Sequence, residues 1–197
     1  MTDVHTRSNF SANRLSHAYI TSAGLADSIA MAAVCAGHGG KKPCMACTNC
    51  DKASRRLHPD ITFIDKQPDK RDILVDQIRN LKKDVIIIPS ESEKKVYIIN
   101  NADLMTVSAQ NAFLQILEEP PHYAVFILIT GTPASLLPTV RSRCVEIKSL
   151  PDLDPTDQAA REMADGFYEA IYQGGVAVTT LMFKLEKVEK EIEEVAF

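Results

Sequence analysis

The sequence has no long hydrophobic segment. Across its 197 residues no run approaches the roughly 18 apolar residues that a membrane-spanning helix needs. The opening segment, MTDVHTRSNF, is polar and has none of the apolar character of a secretory signal peptide. These two absences predict a cytoplasmic protein.

Positive charge is not in excess either. Lys and Arg number 22 against 26 Asp and Glu, which gives a formal net charge of −4. This balance argues against a broadly basic nucleic-acid-binding surface, but it does not exclude a local basic patch. Apolar residues make up 45% and charged residues 24% of the chain, as in an ordinary globular protein, and the length suffices for one core and a small appendage.

Cysteine is rare outside one short segment, which holds four of the five cysteines. The pattern is Cys35-(x8)-Cys44-x2-Cys47-x2-Cys50, and paired C-x2-C spacing is typical of tetrahedral zinc sites. In a reducing compartment such a cluster indicates a metal site instead of disulfides. Turn-forming residues lie between the first two cysteines: Gly37, Gly39, Gly40 and Pro43.

Four thiolates complete a tetrahedral shell and leave no position for water, so the cluster predicts a structural Zn²⁺ site. His38 could replace one ligand, and four ordinary buried thiols are the metal-free alternative. A zinc-containing nucleic-acid-binding module is a further possibility. The acidic balance and the lack of aromatic residues interleaved with the cysteines count against that module.

The chain is organised around a strand–helix–strand unit in residues 96–144. Val96–Ile99 and Val125–Ile129 are short apolar runs rich in β-branched residues, as in parallel strands covered on both faces. Between them, apolar residues at helical spacing form one stripe, with Thr106 or Ser108 as the N-cap. Pro120 and the proline after it end that helix. The stripe consists of Ala109, Ala112, Phe113, Ile116 and Leu117.

Three further apolar segments are predicted strands, so the sheet should be five-stranded and parallel. The segments are 17–21, 61–64 and 145–147. Helices are predicted at 25–35, 49–57 and 73–81 before the central unit, and at 156–172 and 178–195 after it.

The sequence lacks a phosphate-binding loop after its first strand. Such a loop has the pattern G-x-x-x-x-G-K-[ST], whose backbone amides and lysine hold the phosphates. Here Ser22–Ser28 contains one glycine and no lysine, and Asp27 would place negative charge near the phosphates. The expectation is that this chain has no nucleotide cradle of its own.

Several motifs occur in the order typical of one protein family. They are S-H-A-Y at 16–19, I-L-V-D-Q-I-R-N-L at 73–81, N-A-D at 101–103, L-E-E-P-P at 117–121 and L-L-P-T-V-R-S-R-C at 136–144. With this order the chain resembles the clamp-loader subunits of the AAA+ family, and among them the delta-prime group of bacterial DNA polymerase III.

The resemblance implies a fold and a domain organisation. Residues 1–150 would form an AAA+ (P-loop NTPase-like) α/β domain with a parallel five-stranded sheet and a zinc module inserted at 35–50. Residues 151–197 would form a small helical lid domain. Members of the family usually continue into a helical collar domain, so the chain is expected to be an N-terminal fragment.

The resemblance also implies a function without ATP hydrolysis. A working ATPase of this fold needs acidic residues after the third strand, where this chain has Asn100 and Asn101, and amides suit neither Mg²⁺ nor a general base. The chain would be a non-hydrolysing subunit of the holoenzyme that binds no ATP. A gamma/tau-type clamp-loader ATPase is the alternative within the family.

One catalytic motif is intact. In the family, the arginine of S-R-C reaches across a subunit interface to the γ-phosphate of a neighbour's ATP, which implies that role in trans for Arg143. We expect Arg143 to have no partner within its own subunit. The alternative is that it forms a salt bridge that supports the fold. Arg141 has a weaker claim to the role in trans, and Thr130 occupies the family's sensor position.

The resemblance also implies partners. They are gamma/tau-like ATPase and delta-like subunits, with the sliding clamp and primer-template DNA reached through the complex.

Overall fold

The computed structural model describes residues 15–37 and 42–147. Within them, five parallel strands form one sheet in the order β2-β3-β4-β1-β5. The strands are β1 (Ala18–Thr21), β2 (Ile61–Ile64), β3 (Lys95–Ile99), β4 (Ala124–Ile129) and β5 (Val145–Glu146). The helices are α1 (Ala23–Val34), α2 (Thr48–Ser54), α3 (Val75–Asp84), α4 (Val107–Glu118) and α5 (Pro138–Arg141). This topology confirms the predicted parallel α/β sheet.

The two central strands carry the core. All of β3 is buried, and so is β4 up to its last residue, because helices cover both faces of the sheet. Tyr97 of β3 stacks on Phe126 of β4 with ring centroids 5.5 Å apart, and Phe113 of α4 meets Phe126 edge-on at 5.4 Å. These aromatic contacts fix α4 against the middle of the sheet.

Helix α4 begins and ends as its sequence predicts. Of the two candidate caps, Thr106 is the one used: its hydroxyl accepts a hydrogen bond from the Ala109 N–H at 3.2 Å. The helix ends at Glu118, two residues before Pro120. Its buried side includes Ala109, Phe113, Ile116 and Leu117, as the apolar stripe predicts.

Helix α3 starts later than the sequence indicates. Ile73, the first residue of the predicted helix, instead pairs with Met105 in an isolated parallel bridge. The Ile73 N–H donates to the Leu104 carbonyl, and the Ile73 carbonyl accepts from the Thr106 N–H. With its backbone groups engaged outside a helix, Ile73 cannot open one, and α3 begins at Val75.

The second predicted domain lies outside the described residues, as do its two helices at 156–172 and 178–195. No helix within the described ranges is long and apolar enough to cross a membrane.

Candidate functional site

The four clustered cysteines come together from three places in the chain. Cys35 follows the last residue of α1, Cys44 lies in the connecting loop, Cys47 is the N-cap of α2, and Cys50 lies in its first turn. Their four sulfur atoms lie within 4.8 Å of one another. The predicted ligand set is therefore assembled, while His38 lies outside the described residues.

Backbone amides point at the sulfur atoms of this cluster. The N–H groups of Gly37 and Cys44 donate to Cys35 Sγ, and that of Cys50 donates to Cys47 Sγ, each at 3.4 Å. Position 37 has no room for a side chain, because a Cβ atom there would lie 2.7 Å from Cys44 Sγ and 3.3 Å from Cys35 Sγ. Only glycine lets the backbone pass this close to the sulfurs.

The electrostatics of the cluster favour thiolates at two positions. Burial opposes ionisation of Cys47, but amide donors from Cys50 and Ala36 outweigh it and lower the pKa of Cys47 to about 6. The backbone amide of Ala46 and other hydrogen bonds lower the pKa of Cys44 as well. Burial, together with the neighbouring Cys47, raises the pKa of Cys50 to about 12. Cys50 thus resists ionisation, while Cys44 and Cys47 favour it. A divalent cation would offset this resistance and stabilise all four cysteines as thiolates.

The geometry fits a tetrahedral Zn²⁺. With Zn–S bonds near 2.3 Å, ligand sulfurs stand roughly 3.8 Å apart. Cys35 Sγ and Cys47 Sγ are 4.0 Å apart, and no pair of the four exceeds 4.8 Å. A small contraction brings all four into the shell.

The carboxyl ends of β1, β4 and β5, where this fold would hold a nucleotide, surround a cavity of about 290 Å³. That volume is at the small end of the roughly 300–1,000 Å³ typical of ligand sites. Among the described residues that line it, the charged one is acidic, Glu146. The lining residues are Ile20, Thr21, Ser22, Thr130, Gly131, Pro133, Glu146 and Ile147.

Three polar residues at or beyond the carboxyl ends of the strands have partners within the chain. The Thr130 hydroxyl accepts a hydrogen bond from the Thr132 N–H at 3.0 Å. Asp27, predicted to lie near phosphates, pairs with Arg56 at 3.2 Å. Asn100, which follows β3, donates to a carboxylate oxygen of Asp65 at 2.8 Å. Within the described part of the chain, no lysine or arginine lines the cavity.

Arg143 follows α5 in the turn that leads to β5, and about a third of its side chain is exposed. Contrary to the expectation, it has partners in its own chain. Its Nη2 lies 3.1 Å from a carboxylate oxygen of Glu118, and its Nη1 donates to the Thr139 carbonyl at 3.0 Å. The expectation was wrong because the end of α4 packs beside α5, a tertiary contact that strand and helix patterns do not reveal.

The strand register separates Arg143 from the chain's own cavity. Val145 pairs with Tyr19, so Arg143 lies beyond the amino end of β1, while Ser22 follows its carboxyl end. At about 3.3 Å per residue, the two levels are roughly 15 Å apart along the strands. Arg143 and the position after β1 where a phosphate-binding loop would lie are therefore at different levels of the sheet.

Two supporting residues escape the sequence patterns. The sequence marks Glu118 only as part of the L-E-E-P-P motif. Gln110, on the buried side of α4, accepts from the Leu137 N–H at 2.7 Å and donates to the Met105 carbonyl at 3.1 Å. Gln110 thereby attaches the segment before α5 to α4. The available signal for this role is a glutamine that lies, buried, within the apolar stripe of the helix.

Three basic residues in and just after α2 are paired with acids. Lys52 contacts Glu91 at 2.6 Å, and Arg55 pairs with the aspartate four residues before it. Arg56 pairs with Asp27. These partners reduce the local positive charge that a nucleic-acid-binding module beside the cysteines would use.

Comparison with known proteins decides the family. A family model described as "DNA polymerase III, delta subunit" matches residues 4–152. The chain belongs to this family. It is 40% identical to DNA polymerase III subunit delta' of Bacillus subtilis over 139 residues, which is 67% of this chain and 41% of that protein. It is 34% identical to subunit delta' of Pseudomonas aeruginosa over 122 residues, 62% of this chain and 37% of that one. The delta-prime resemblance is confirmed.

Related subunits with other names also match. The chain is 33% identical to DNA polymerase III subunit tau of Bacillus subtilis over 138 residues, 66% of this chain and 24% of that protein. A crystal structure of a DNA polymerase III gamma subunit-related protein from Thermotoga maritima aligns with a TM-score of 0.51 and 22% identity. The alignment covers 92% of this chain and 58% of that one. This neighbour supports the AAA+ type of fold, and the chain spans about two fifths of the first-named relative.

Proposed function

We propose that this chain is a non-hydrolysing clamp-loader subunit of the delta-prime type. In the assembled complex, Arg143 reaches the ATP of a neighbouring gamma/tau-like subunit. Together with a delta-like subunit, the complex loads a sliding clamp onto primer-template DNA. The relatives named delta', gamma and tau support this assignment.

The observation that carries the proposal is the position of Arg143 at the end of the sheet opposite to the cavity. The end of β1 offers no phosphate-binding lysine, and the arginine lies roughly 15 Å away along the strands. A phosphate that Arg143 contacts therefore belongs to another subunit. Arg suits this task because its charge is permanent and its planar fork holds two phosphate oxygens at once.

The Glu118 contact is compatible with action in trans. An ion pair this exposed is worth only about 0–1 kcal/mol. Hydrogen bonds from a guanidinium to a phosphate are charge-assisted and bidentate, hence stronger. Because a guanidinium has five N–H donors and the Glu118 and Thr139 contacts use two, Arg143 can keep these contacts and still donate to a neighbour's phosphate.

The four cysteines have a separate, structural part in the proposal. Cys35, Cys44, Cys47 and Cys50 hold one Zn²⁺, which joins the end of α1 to the start of α2. A closed shell of four thiolates has no site for water or substrate, so the metal acts on folding and not on catalysis.

The test is ATP turnover by the assembled complex with Arg143→Ala. An arginine finger accelerates hydrolysis roughly 10³–10⁵-fold at the site that it serves. Total turnover should fall by less, because other ATP sites keep their own arginines, while clamp loading should fall sharply. Arg141→Ala is the matched control, since Arg141 is a neighbouring exposed arginine that pairs with Glu146 instead.

Normal turnover and loading with Arg143→Ala would show that Arg143 is a structural residue. So would unfolding of that variant while the Arg141→Ala control stays folded. Circular dichroism and subunit assembly are measured alongside the activities.

A further inference from the structure

Glu118 is the residue that fixes the direction of Arg143. Its carboxylate lies 3.1 Å from Nη2, while the Thr139 carbonyl holds Nη1 at 3.0 Å. The two contacts come from different elements, the last residue of α4 and the second residue of α5. A guanidinium held at both terminal nitrogens is restricted in the plane and direction of its fork.

The backbone under Glu118 is anchored. The preceding turns of α4 bury Phe113, Ile116 and Leu117 against the sheet, and Pro120 follows two residues later. The carboxylate therefore extends from the end of a helix that is packed on the sheet.

The other side of the contact is anchored to the same helix. The Leu137 N–H donates to Gln110 at 2.7 Å, at the residue that caps α5. Through Gln110 and Glu118, α4 thus holds both the start of α5 and the arginine that follows it.

We infer that Glu118 is a positioning residue that orients Arg143 toward the neighbouring subunit before any phosphate is present. The inference rests on the proposed function. An arginine that is already oriented loses less side-chain freedom when it meets the phosphate. The carboxylate matters through its charge, because a charge-assisted bond holds the guanidinium more firmly than a neutral amide would.

The experiment compares four variants in the assembled complex: Glu118→Gln, Glu119→Gln, Arg143→Ala and the double variant Glu118→Gln/Arg143→Ala. The measured quantity is the part of ATP turnover that disappears with Arg143→Ala. Exposed ion pairs of this kind are worth about 0.2–1 kcal/mol, so Glu118→Gln should lower that part by about 1.4- to 5-fold. The KM for ATP should be unchanged, since the contact acts on orientation.

Glu119→Gln is the matched control. It removes the adjacent exposed carboxylate and should leave turnover at the unsubstituted level. The double variant should equal Arg143→Ala alone, because Glu118 acts only through the arginine. A merely structural role for Glu118 would lower turnover in both backgrounds.

Each other result overturns the inference. If Arg143→Ala has no effect on turnover, the proposed function fails and the inference fails with it. If Arg143→Ala lowers turnover but Glu118→Gln does not, only the positioning role is wrong. Faster turnover with Glu118→Gln would show that the carboxylate competes with phosphate for the arginine. An additive loss in the double variant would show that Glu118 acts independently of Arg143.

Discussion

At the scale of single residues, Asp60 organises a loop that has no regular structure. It lies just before β2 and is 1% exposed. Its carboxylate accepts the N–H groups of Ser90, Glu91 and Ser92 at 2.6–2.8 Å, and the Ser92 hydroxyl at 3.0 Å. Burial opposes ionisation, but these donors together hold the pKa of Asp60 below its ordinary value of 3.8.

Asp60→Asn should lower the free energy of unfolding by about 1–3 kcal/mol at neutral pH, because an amide NH₂ would face backbone donors. The pKa of Asp60 is lower in the folded than in the unfolded state, so its stabilisation is present above about pH 3.8 and is lost as pH falls through the folded value. The deficit of the variant should therefore shrink in acid. Urea denaturation at several pH values measures it.

The control for this substitution is Asp69→Asn, an exposed aspartate whose ion pair, among the described residues, is with the adjacent Lys70. It should change stability little. An equal loss in both variants, or a deficit for Asp60→Asn that stays constant into acid, would contradict the role given to Asp60.

At the scale of elements, the cysteine segment should depend on its metal. We expect one zinc per chain, and Cys47→Ser should lower both the metal content and the melting temperature, since structural zinc contributes directly to folding free energy. Elemental analysis and thermal denaturation check the two effects. Cys144→Ser, outside the cluster, should leave the zinc content unchanged, and protein purified without chelator that contains no zinc would refute the site.

Gly37 gives an independent test of the same segment. Gly37→Ala would place a methyl group 2.7 Å from Cys44 Sγ, which should weaken zinc binding without removing any ligand. Gly24→Ala is the matched control, since a methyl group at this position inside α1 would meet nothing within 4 Å. Since Gly24 lies in the first turn of α1 and its surroundings are open, alanine there should be tolerated. Competition with a chromophoric chelator measures zinc affinity, and equal affinity in both variants would contradict the close packing.

Elements defined by local pattern can be predicted from the sequence, while contacts between elements cannot. The predicted bounds of β2, Ile61–Ile64, are those observed, since an apolar run followed by polar residues defines a strand. The predicted start of α3 is wrong, because the bridge from Ile73 to Met105 joins distant parts of the chain. The cysteine cluster follows from spacing alone. The Glu118–Arg143 pair does not, because it depends on how α4 and α5 pack.

At the scale of the whole molecule, the combined features predict a chain that does not bind ATP. Ser22–Ser28 has no lysine, the cavity at the carboxyl ends of the strands is small, and its charged lining residue is acidic. Calorimetric titration with millimolar ATP and Mg²⁺ should show negligible binding. Micromolar affinity would refute the non-hydrolysing assignment and favour a gamma/tau-type ATPase.

The strand order has a consequence for how the protein forms during synthesis. The first strand, β1, lies between β4 and β5 and pairs with both. Ala18 pairs with Phe126, which is synthesised more than a hundred residues later. At ribosomal rates of about 5–20 residues per second, β1 spends about 5–20 seconds without either neighbour. The cysteine segment, by contrast, closes over a short stretch of chain. From the topology we expect this segment to form first and the sheet to be completed last, when its earliest strand enters between two late ones.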